Sequence, residues 1–321
     1  MKSDPLFGLC CSQHRATELG LDPTETFLAT LIHLRPRLVR LPLSWDEIAP
    51  EPGRYDLAGI RWRLDRAEEH GCRVLLSVGI RVPDRVGDSI PPWLRDAPGP
   101  SPAIGGSGRG RLMANLLLML ERVVAALADY DAIEAWQVEH EPFLPVARSR
   151  SGVAIDPALL KREADVVREV DSRHRPIVIT HAAGSIFDSR WRAALRIADV
   201  IGEDLAIPSG VRDDGRLRRS LRQQDACGRL RLLALAAALQ AKPVWITGLQ
   251  TEPSHAAQGS QPQPAAGRAR AIDVMQSQIY LARRSGAARI YLRGAEAWLL
   301  RLQRGEQESW DLARGFMSPS P

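Results

Sequence analysis

Two patterns of apolar positions alternate along this chain of 321 residues. Short runs rich in Val, Ile and Leu are separated by longer segments whose apolar residues recur every three or four positions. This alternation is typical of buried strands that are connected by amphipathic helices. The predicted strands are residues 6–12, 37–43, 73–79, 132–141, 176–182, 199–204, 243–248 and 289–294.

Two of the predicted helices carry start signals. In LDPTETFLATLIHL, Asp22 stands in the N-cap position, Pro23 is the first helical residue and Glu25 completes a capping box. The segment IDPALLKREADVVREV repeats the device with Asp156 and Pro157. A third helix, in RLMANLLLMLERVVAALADY, is predicted from its apolar spacing alone.

Eight strands separated by helices predict α/β architecture: parallel units that close into one (β/α)8 TIM barrel, a single domain over residues 1–321. The main rival is a doubly wound open sheet. That fold would place a glycine-rich nucleotide loop after the first strand, and CCSQHRATELG is not such a loop. Segments rich in Gly, Pro and Ser predict flexible loops at 96–110 and 251–270, on the C-terminal face where such barrels build their sites.

Composition narrows the classes of partner. The net charge is +5, but only three of the 43 basic residues are lysines and they form no basic block, so we expect no nucleic-acid partner. No run has the length of a membrane span, and MKSDPLFGLCCS lacks the apolar core of a signal peptide. We therefore expect a cytoplasmic protein without membrane contact.

The four cysteines, Cys10, Cys11, Cys72 and Cys227, show no metal-ligand spacing, so we expect no metal site and no cofactor. Adjacent cysteines seldom belong to a simple disulfide framework. A reducing compartment is the corresponding expectation.

The fourth predicted strand ends in an unusual way. AIEAWQVEHEPFLP runs as an apolar strand and then finishes with two carboxylates, an imidazole and a proline. Glu141 falls at the rim of the predicted barrel, where carboxylates commonly do acid/base chemistry. Trp136 has the opposite strand parity to Glu141, so we expect it to pack outward against the helices.

Three segments of the sequence resemble a known family. Together they are similar to a bacterial cellulase-type group in the clan of (β/α)8 retaining glycosidases; the segments are RLVRLPLSWDEIAPEPGRYDLAGIRWRLDRAEEHGCRVLLSVG, AWQVEHEPF and PVWITGLQTEP. The resemblance implies a glycoside hydrolase that acts on oligosaccharides or polysaccharides. It also implies that Glu141 is the acid/base residue, and that the residue before it, here His140, holds the 2-hydroxyl of the sugar in place of the usual Asn.

The resemblance breaks at the seventh strand. The family has a nucleophilic Glu where this chain has Gly248, and a retaining mechanism needs two carboxyl groups about 5–5.5 Å apart. Glu252 matches a second acidic position of the family and is not expected to be a relocated nucleophile. An empty space is expected where the Gly248 side chain is missing, which an external anion such as formate or azide could occupy.

Further positions are implied by the same resemblance. Arg40 matches an arginine that supports the nucleophile; with Gly248 opposite, it is expected to pair with Glu141 or Glu203. Arg293 replaces a tryptophan platform under the sugar. Trp45 and Trp93 follow the second and third strands, and each could either stack on a sugar or anchor its loop.

Three hypotheses about function remain open. The first is a degenerate glycosidase, a pseudoenzyme that binds a glycan in its old cleft. The second is an active glycosidase that uses Glu203 or Asp204 as a substitute carboxylate with Glu141 as acid/base. A separation of about 6.5–9.5 Å between the carboxyl groups would suit an inverting route. The third is an interaction protein that has no enzymatic activity, and fold alone does not separate the three.

Overall fold

The eight strands form a closed parallel barrel in the order β1 to β8. The computed structural model describes residues 4–85, 87–96, 107–143, 153–181, 189–205, 228, 235, 237–252 and 265–317. The strands are β1 (Leu6–Cys10), β2 (Leu38–Pro42), β3 (Arg73–Val78), β4 (Ile133–His140), β5 (Ile177–His181), β6 (Val200–Leu205), β7 (Val244–Gln250) and β8 (Arg289–Arg293). The predicted (β/α)8 fold and all eight predicted strands are confirmed.

The helices follow the strands in sequence. Those in the described ranges are α1 (Gln13–Glu18), α2 (Pro23–Ala29), α3 (Trp45–Ile48), α4 (Ala58–Glu69), α5 (Pro92–Arg95), α6 (Ser107–Leu127), α7 (Pro157–Val170), α8 (Ser189–Ile197), α9 (Ala265–Arg283), α10 (Ala295–Gln303) and α11 (Glu308–Met317). A single π-helical turn, Thr30–Leu34, continues α2. Both predicted N-caps are confirmed, since Asp22 accepts from the N–H of Glu25 and Asp156 from those of Ala158 and Leu159.

The two predicted loops are partly wrong. Residues 107–110 belong to α6 and residues 265–270 belong to α9. Alanine and arginine, which are frequent in the second of these segments, are strong helix formers, and they outweigh the nearby Gly and Pro. The rest of the two segments, residues 97–106 and 253–264, lies outside the described residues.

The burial of the strands explains why their sequences are continuous apolar runs. All five residues of β2 and all six of β6 are buried, as expected for a parallel sheet that is covered on both faces. Trp136 packs outward as predicted, and its indole N–H donates to Asp171 Oδ2, at the end of α7, over 3.2 Å. Among the described helices, none combines the length and the apolar character that a membrane crossing would need.

The chain divides into two compact units: residues 1–40 with 202–321, and residues 41–201. The first unit contains β1, β7, β8 and the larger parts of β2 and β6. The second contains β3, β4 and β5. Each of the two side-chain clusters described below lies within one unit. The single-domain organisation of residues 1–321 stays a prediction.

The described cysteines are buried and reduced. Cys10, Cys11 and Cys72 form no disulfide among the described residues, and Cys227 lies outside the described residues. Burial raises the pKa of the Cys72 thiol to about 12, so it carries no thiolate at neutral pH.

Candidate functional site

Gly248, where the resemblance implies a nucleophile, lies in an irregular part of β7. The register of β7 against β8 shifts between Ile246 and Leu249, so Thr247 and Gly248 sit where the regular alternation of the strand is interrupted. This interruption lets the Thr247 hydroxyl and the Cα of Gly248 approach the same side chain, Asp204 of β6.

The carboxylate of Asp204 fills the space beside Gly248. A Cβ added at Gly248 would lie 2.8 Å from both carboxylate oxygens of Asp204 and 2.9 Å from its Cγ. Real Cβ contacts essentially never reach such distances, so a side chain at 248 would have to displace Asp204. The expectation of an empty space is therefore wrong: a carboxylate from the neighbouring part of the barrel lies there.

Arg40 holds this carboxylate from β2. Its Nη1 lies 3.3 Å from Asp204 Oδ1 and donates to the carbonyl of Thr247 over 2.8 Å. The sequence prediction named Glu141 or Glu203 as the partner of Arg40, whereas the structure shows Arg40 paired with Asp204. The physical reason is that Arg40 is fully buried and reaches the carboxylate beside Gly248.

Two further groups complete what we call the β7 cluster: Arg40, Asp204, Thr247, Gly248 and Arg293. The Thr247 hydroxyl donates to Asp204 Oδ1 over 2.9 Å. Arg293 Nη1 lies 3.4 Å from Asp204 Oδ2, and a quarter of its side chain is exposed. Both carboxylate oxygens are therefore engaged, by two guanidinium groups and one hydroxyl group.

Glu203 and Asp204, the two candidate substitute carboxylates, differ in direction. Both are buried, but successive strand residues point to opposite faces of the sheet. Asp204 faces the β7 cluster, so strand alternation directs Glu203 to the other face. Of the two candidates, the structure brings only Asp204 to Gly248.

The end of β4 carries a second cluster, within the other unit. Glu139 is fully buried, and its carboxylate accepts the backbone N–H groups of Ile80 over 2.6 Å and Arg81 over 2.8 Å. Burial raises the pKa of Glu139 to about 7, against the opposing effect of these two N–H groups. Glu141 directly follows β4 and is half-buried, as is His140.

Arg81 ties the chain after β4 in place. Its guanidinium donates to the carbonyls of Glu141, Pro142 and Val153 over 3.3, 3.0 and 2.9 Å, and pairs with Asp88 at 3.2 Å. We call Gly79, Arg81, Glu139, Glu141 and Glu163 the β4 cluster.

Glu163 brings a second carboxyl group to Glu139 from α7. It is fully buried, and burial, with the charge of Glu139 next in size, raises the pKa of Glu163 well above its usual value. Both shifts favour the protonated form of the Glu163 carboxyl group.

The two tryptophans anchor loops. Trp45 has only 1 % of its surface exposed. Its indole packs inside the protein, which favours loop anchoring over the sugar contact that was the other alternative. Trp93 donates its indole N–H to the carbonyl of Ala49 over 2.8 Å, which fixes the turn after α3.

Glu252 takes part in an ion pair. Its carboxylate accepts from both terminal nitrogens of Arg301, with Nη1 at 3.0 Å. Burial raises the pKa of Glu252, and Arg301 opposes this rise. The pairing agrees with the expectation that Glu252 is not a relocated nucleophile.

Sequence reasoning missed Arg81, Glu139, Glu163 and Thr247. One of them left a signal in the sequence: Glu163 falls in the apolar stripe of α7, among Leu159, Leu160, Ala164 and Val167, all of them buried. A carboxyl group at a core position of an amphipathic helix is unusual, and the neighbouring group that acts on its ionisation is Glu139.

Comparison with solved structures places this architecture among known proteins. The barrel is similar to GH5_18 from Streptomyces cattleya, with a TM-score of 0.62, 14 % identity and coverage of 91 % of this chain and 71 % of that one. For endo-glycoceramidase II from Rhodococcus sp. the TM-score is 0.56, the identity 19 % and the coverage 91 % and 73 %. The chain has the fold of these glycoside hydrolases.

A third structure extends the comparison. The β-galactosidase from Rahnella sp. R3 has a TM-score of 0.59 and 13 % identity; the match covers 91 % of this chain but only 50 % of that enzyme. At these identities the likeness is one of fold. No sequence model of a protein family matches the chain, and no curated protein sequence matches it either.

Proposed function

We propose that this protein is a barrel of glycosidase type that binds an oligosaccharide or polysaccharide at the C-terminal ends of its strands and has lost retaining hydrolysis. The observation that carries the proposal is the position of Asp204, whose carboxylate lies where a side chain at Gly248 would begin. The proposed substrate class is taken from the structurally similar barrels, which are glycoside hydrolases. The proposal requires no cofactor.

Loss of hydrolysis is argued from the surroundings of Asp204. A nucleophile must present an oxygen to the anomeric carbon, and Asp204 is only 6 % exposed. Its Oδ1 is engaged by Arg40 and Thr247 and its Oδ2 by Arg293. These groups would have to release the carboxylate before it could attack, and Arg40 is fully buried beside it.

Glycan binding is argued from Arg293. A quarter of its side chain is exposed at the end of β8, and a guanidinium presents several N–H donors in a fixed plane, which suits pairs of sugar hydroxyls. His140 and Glu141, both half-buried after β4, are the other proposed contacts. A cytoplasmic location is part of the proposal, since disulfides are rare there and the described cysteines form none.

The second candidate is an active glycosidase with Asp204 as substitute carboxylate and Glu141 as acid/base. The observation in its favour is the same one: the Asp204 carboxylate lies beside Gly248, the position at which the family resemblance implies a nucleophile. Separation of the two carboxyl groups would decide between a retaining and an inverting route.

One set of assays separates these candidates. Native protein and Asp204→Asn are assayed for hydrolysis of a panel of aryl glycosides, and binding of cello-, xylo- and galacto-oligosaccharides is measured by calorimetry. We expect no hydrolysis above the uncatalysed rate from either protein, together with binding by the native one. Arg293→Ala should weaken that binding at least about tenfold, as expected for the loss of a hydrogen bond to a charged group.

Arg314→Ala, a change on the exposed face of α11, is the matched control and should bind as the native protein does. Hydrolysis by the native protein that Asp204→Asn abolishes would establish the substitute carboxylate instead. Absence of both hydrolysis and binding would favour an interaction protein.

A further inference from the structure

The backbone after β4 has an unusual conformation. Glu139 and Glu141 both have positive φ angles, 61° and 49°, which non-glycine residues adopt at a cost of roughly 1–3 kcal/mol each unless their surroundings enforce it. The register of β4 against β5 shifts between Gln137 and His140. The strand therefore ends in a left-handed turn, residues 139–142, that presents His140 and Glu141.

The Glu139 carboxylate fastens this turn to the end of β3. Its two oxygens accept the consecutive N–H groups of Ile80 and Arg81. Gly79 is required at this contact: its φ is +127°, and a Cβ there would lie 2.6 Å from the carboxylate carbon of Glu139. The carboxylate of Glu139 can thus approach the backbone here only because residue 79 has no side chain.

Arg81 fastens the same turn from the other side. The N–H of His140 donates to the Arg81 carbonyl over 2.9 Å, while the Arg81 guanidinium donates to the carbonyls of Glu141 and Pro142. The backbone of the turn is therefore held by Arg81 at three residues: His140, Glu141 and Pro142.

Glu163, on α7, is the second carboxyl group that interacts electrostatically with Glu139. The charged or titratable groups that act on the pair are Arg81 and Asp88 from the segment after β3 and Asp156 at the start of α7. Among these groups Arg81 is positive, and Asp88 and Asp156 are acidic. Burial raises the pKa of both Glu139 and Glu163, and each carboxyl group opposes the ionisation of the other, so the pair favours a state that retains a proton.

We propose that Glu139 is a positioning residue: with Glu163 behind it and Arg81 beside it, its carboxylate fixes the left-handed turn that presents His140 and Glu141 at the end of β4. The role of those two side chains as sugar contacts rests on the proposed function, whereas the fixing of the turn does not.

Two isosteric variants test the inference. Glu163→Gln retains an N–H donor toward Glu139 and imitates the protonated carboxyl group. Glu139→Gln replaces one acceptor oxygen by an NH2 group that faces a backbone N–H. We expect amide hydrogen exchange of His140 to accelerate at least about tenfold in Glu139→Gln and to stay within about threefold of native in Glu163→Gln.

The pH dependence supplies a readout that a merely structural role would not move. After correction for intrinsic exchange, protection of His140 in the native protein should fall as rising pH removes the proton from the pair. In Glu163→Gln, where that proton is replaced by an amide, protection should stay level. This comparison decides the inference even if Glu139→Gln fails to fold.

Three results would overturn the proposal: unchanged exchange of His140 in Glu139→Gln, equal acceleration in both variants, or the same pH profile for the native protein and Glu163→Gln. Oligosaccharide binding is measured in parallel. If the native protein binds none while exchange behaves as expected, the proposed function fails and the positioning role stands.

Discussion

At the scale of single residues, the chemistry at Gly248 is decided by a residue 44 positions earlier in the chain. The sequence has Gly where the resemblance implies a nucleophilic Glu, and the structure shows the carboxylate of Asp204 beside this glycine, with Arg40 and Thr247 as partners. The absence of a side chain at Gly248 and the position of the Asp204 carboxylate therefore depend on each other, both sterically and electrostatically. A Glu introduced at position 248 would disturb this arrangement.

We predict that Gly248→Glu destabilises the protein by at least about 1–3 kcal/mol, because its Cβ collides with Asp204 and forces an overpacked arrangement. Asp204→Ala should also destabilise, since it removes a carboxylate that pairs with the buried Arg40. The double variant should lose less than the sum of the two, because the new carboxylate can pair with Arg40. Urea unfolding of the four proteins in a double-mutant cycle measures this coupling, and additive losses would contradict it.

At the scale of elements, local sequence signals determine where helices begin, whereas tertiary contacts determine how two of the strands end. Helix starts are set locally: the Asp22 side chain accepts the N–H of Glu25 over 2.8 Å at the surface. The irregular ends of β4 and β7 are set by tertiary contacts, because their bulges coincide with Glu139 turning toward β3 and with Thr247 turning toward Asp204.

For the local signal, we predict that Asp22→Ala lowers the free energy of unfolding by about 1 kcal/mol, the usual value for losing an N-cap acceptor. Asp22→Asn keeps an acceptor oxygen and should lose much less. Chemical denaturation of both variants measures the difference; equal losses would mean that the capping bond contributes nothing.

At the scale of the whole molecule, the buried carboxyl pair links folding to pH. The pKa of Glu139 rises from a usual 4.5 to about 7 in the folded protein, and that of Glu163 is raised as well. Folded protein therefore binds protons that the unfolded chain releases near pH 4.5. Stability from this source is full below that pH and is lost as pH rises through the folded values.

We predict that the native protein loses stability from this pair between pH 4.5 and 7, by about 3 kcal/mol at most if one carboxyl group accounts for the shift. In Glu163→Gln one titrating group is gone, so the slope should be shallower. Denaturation at a series of pH values measures both slopes. Asp131→Asn, at a site 81 % exposed, is the control and should follow the native slope; identical slopes in native and Glu163→Gln would contradict the linkage.

The sequence by itself determined the elements and their order. Eight apolar runs separated by amphipathic segments specify strands and helices because periodicity and capping act over a few residues, as at Asp22 and Asp156. The same local patterns predicted that Trp136 packs outward and that Glu141 comes at the end of β4.

Only the tertiary structure decided what surrounds each functional group. Asp204 beside Gly248, Arg40 paired with Asp204, and Glu163 behind Glu139 all join residues that are far apart in the chain, and no local pattern encodes which carboxylate reaches which space. Trp45 is buried because of what packs on it, although its loop position favoured a sugar contact equally. The physical reason is that steric fit and the pairing of buried charges depend on distances between elements, which the closing of the barrel sets.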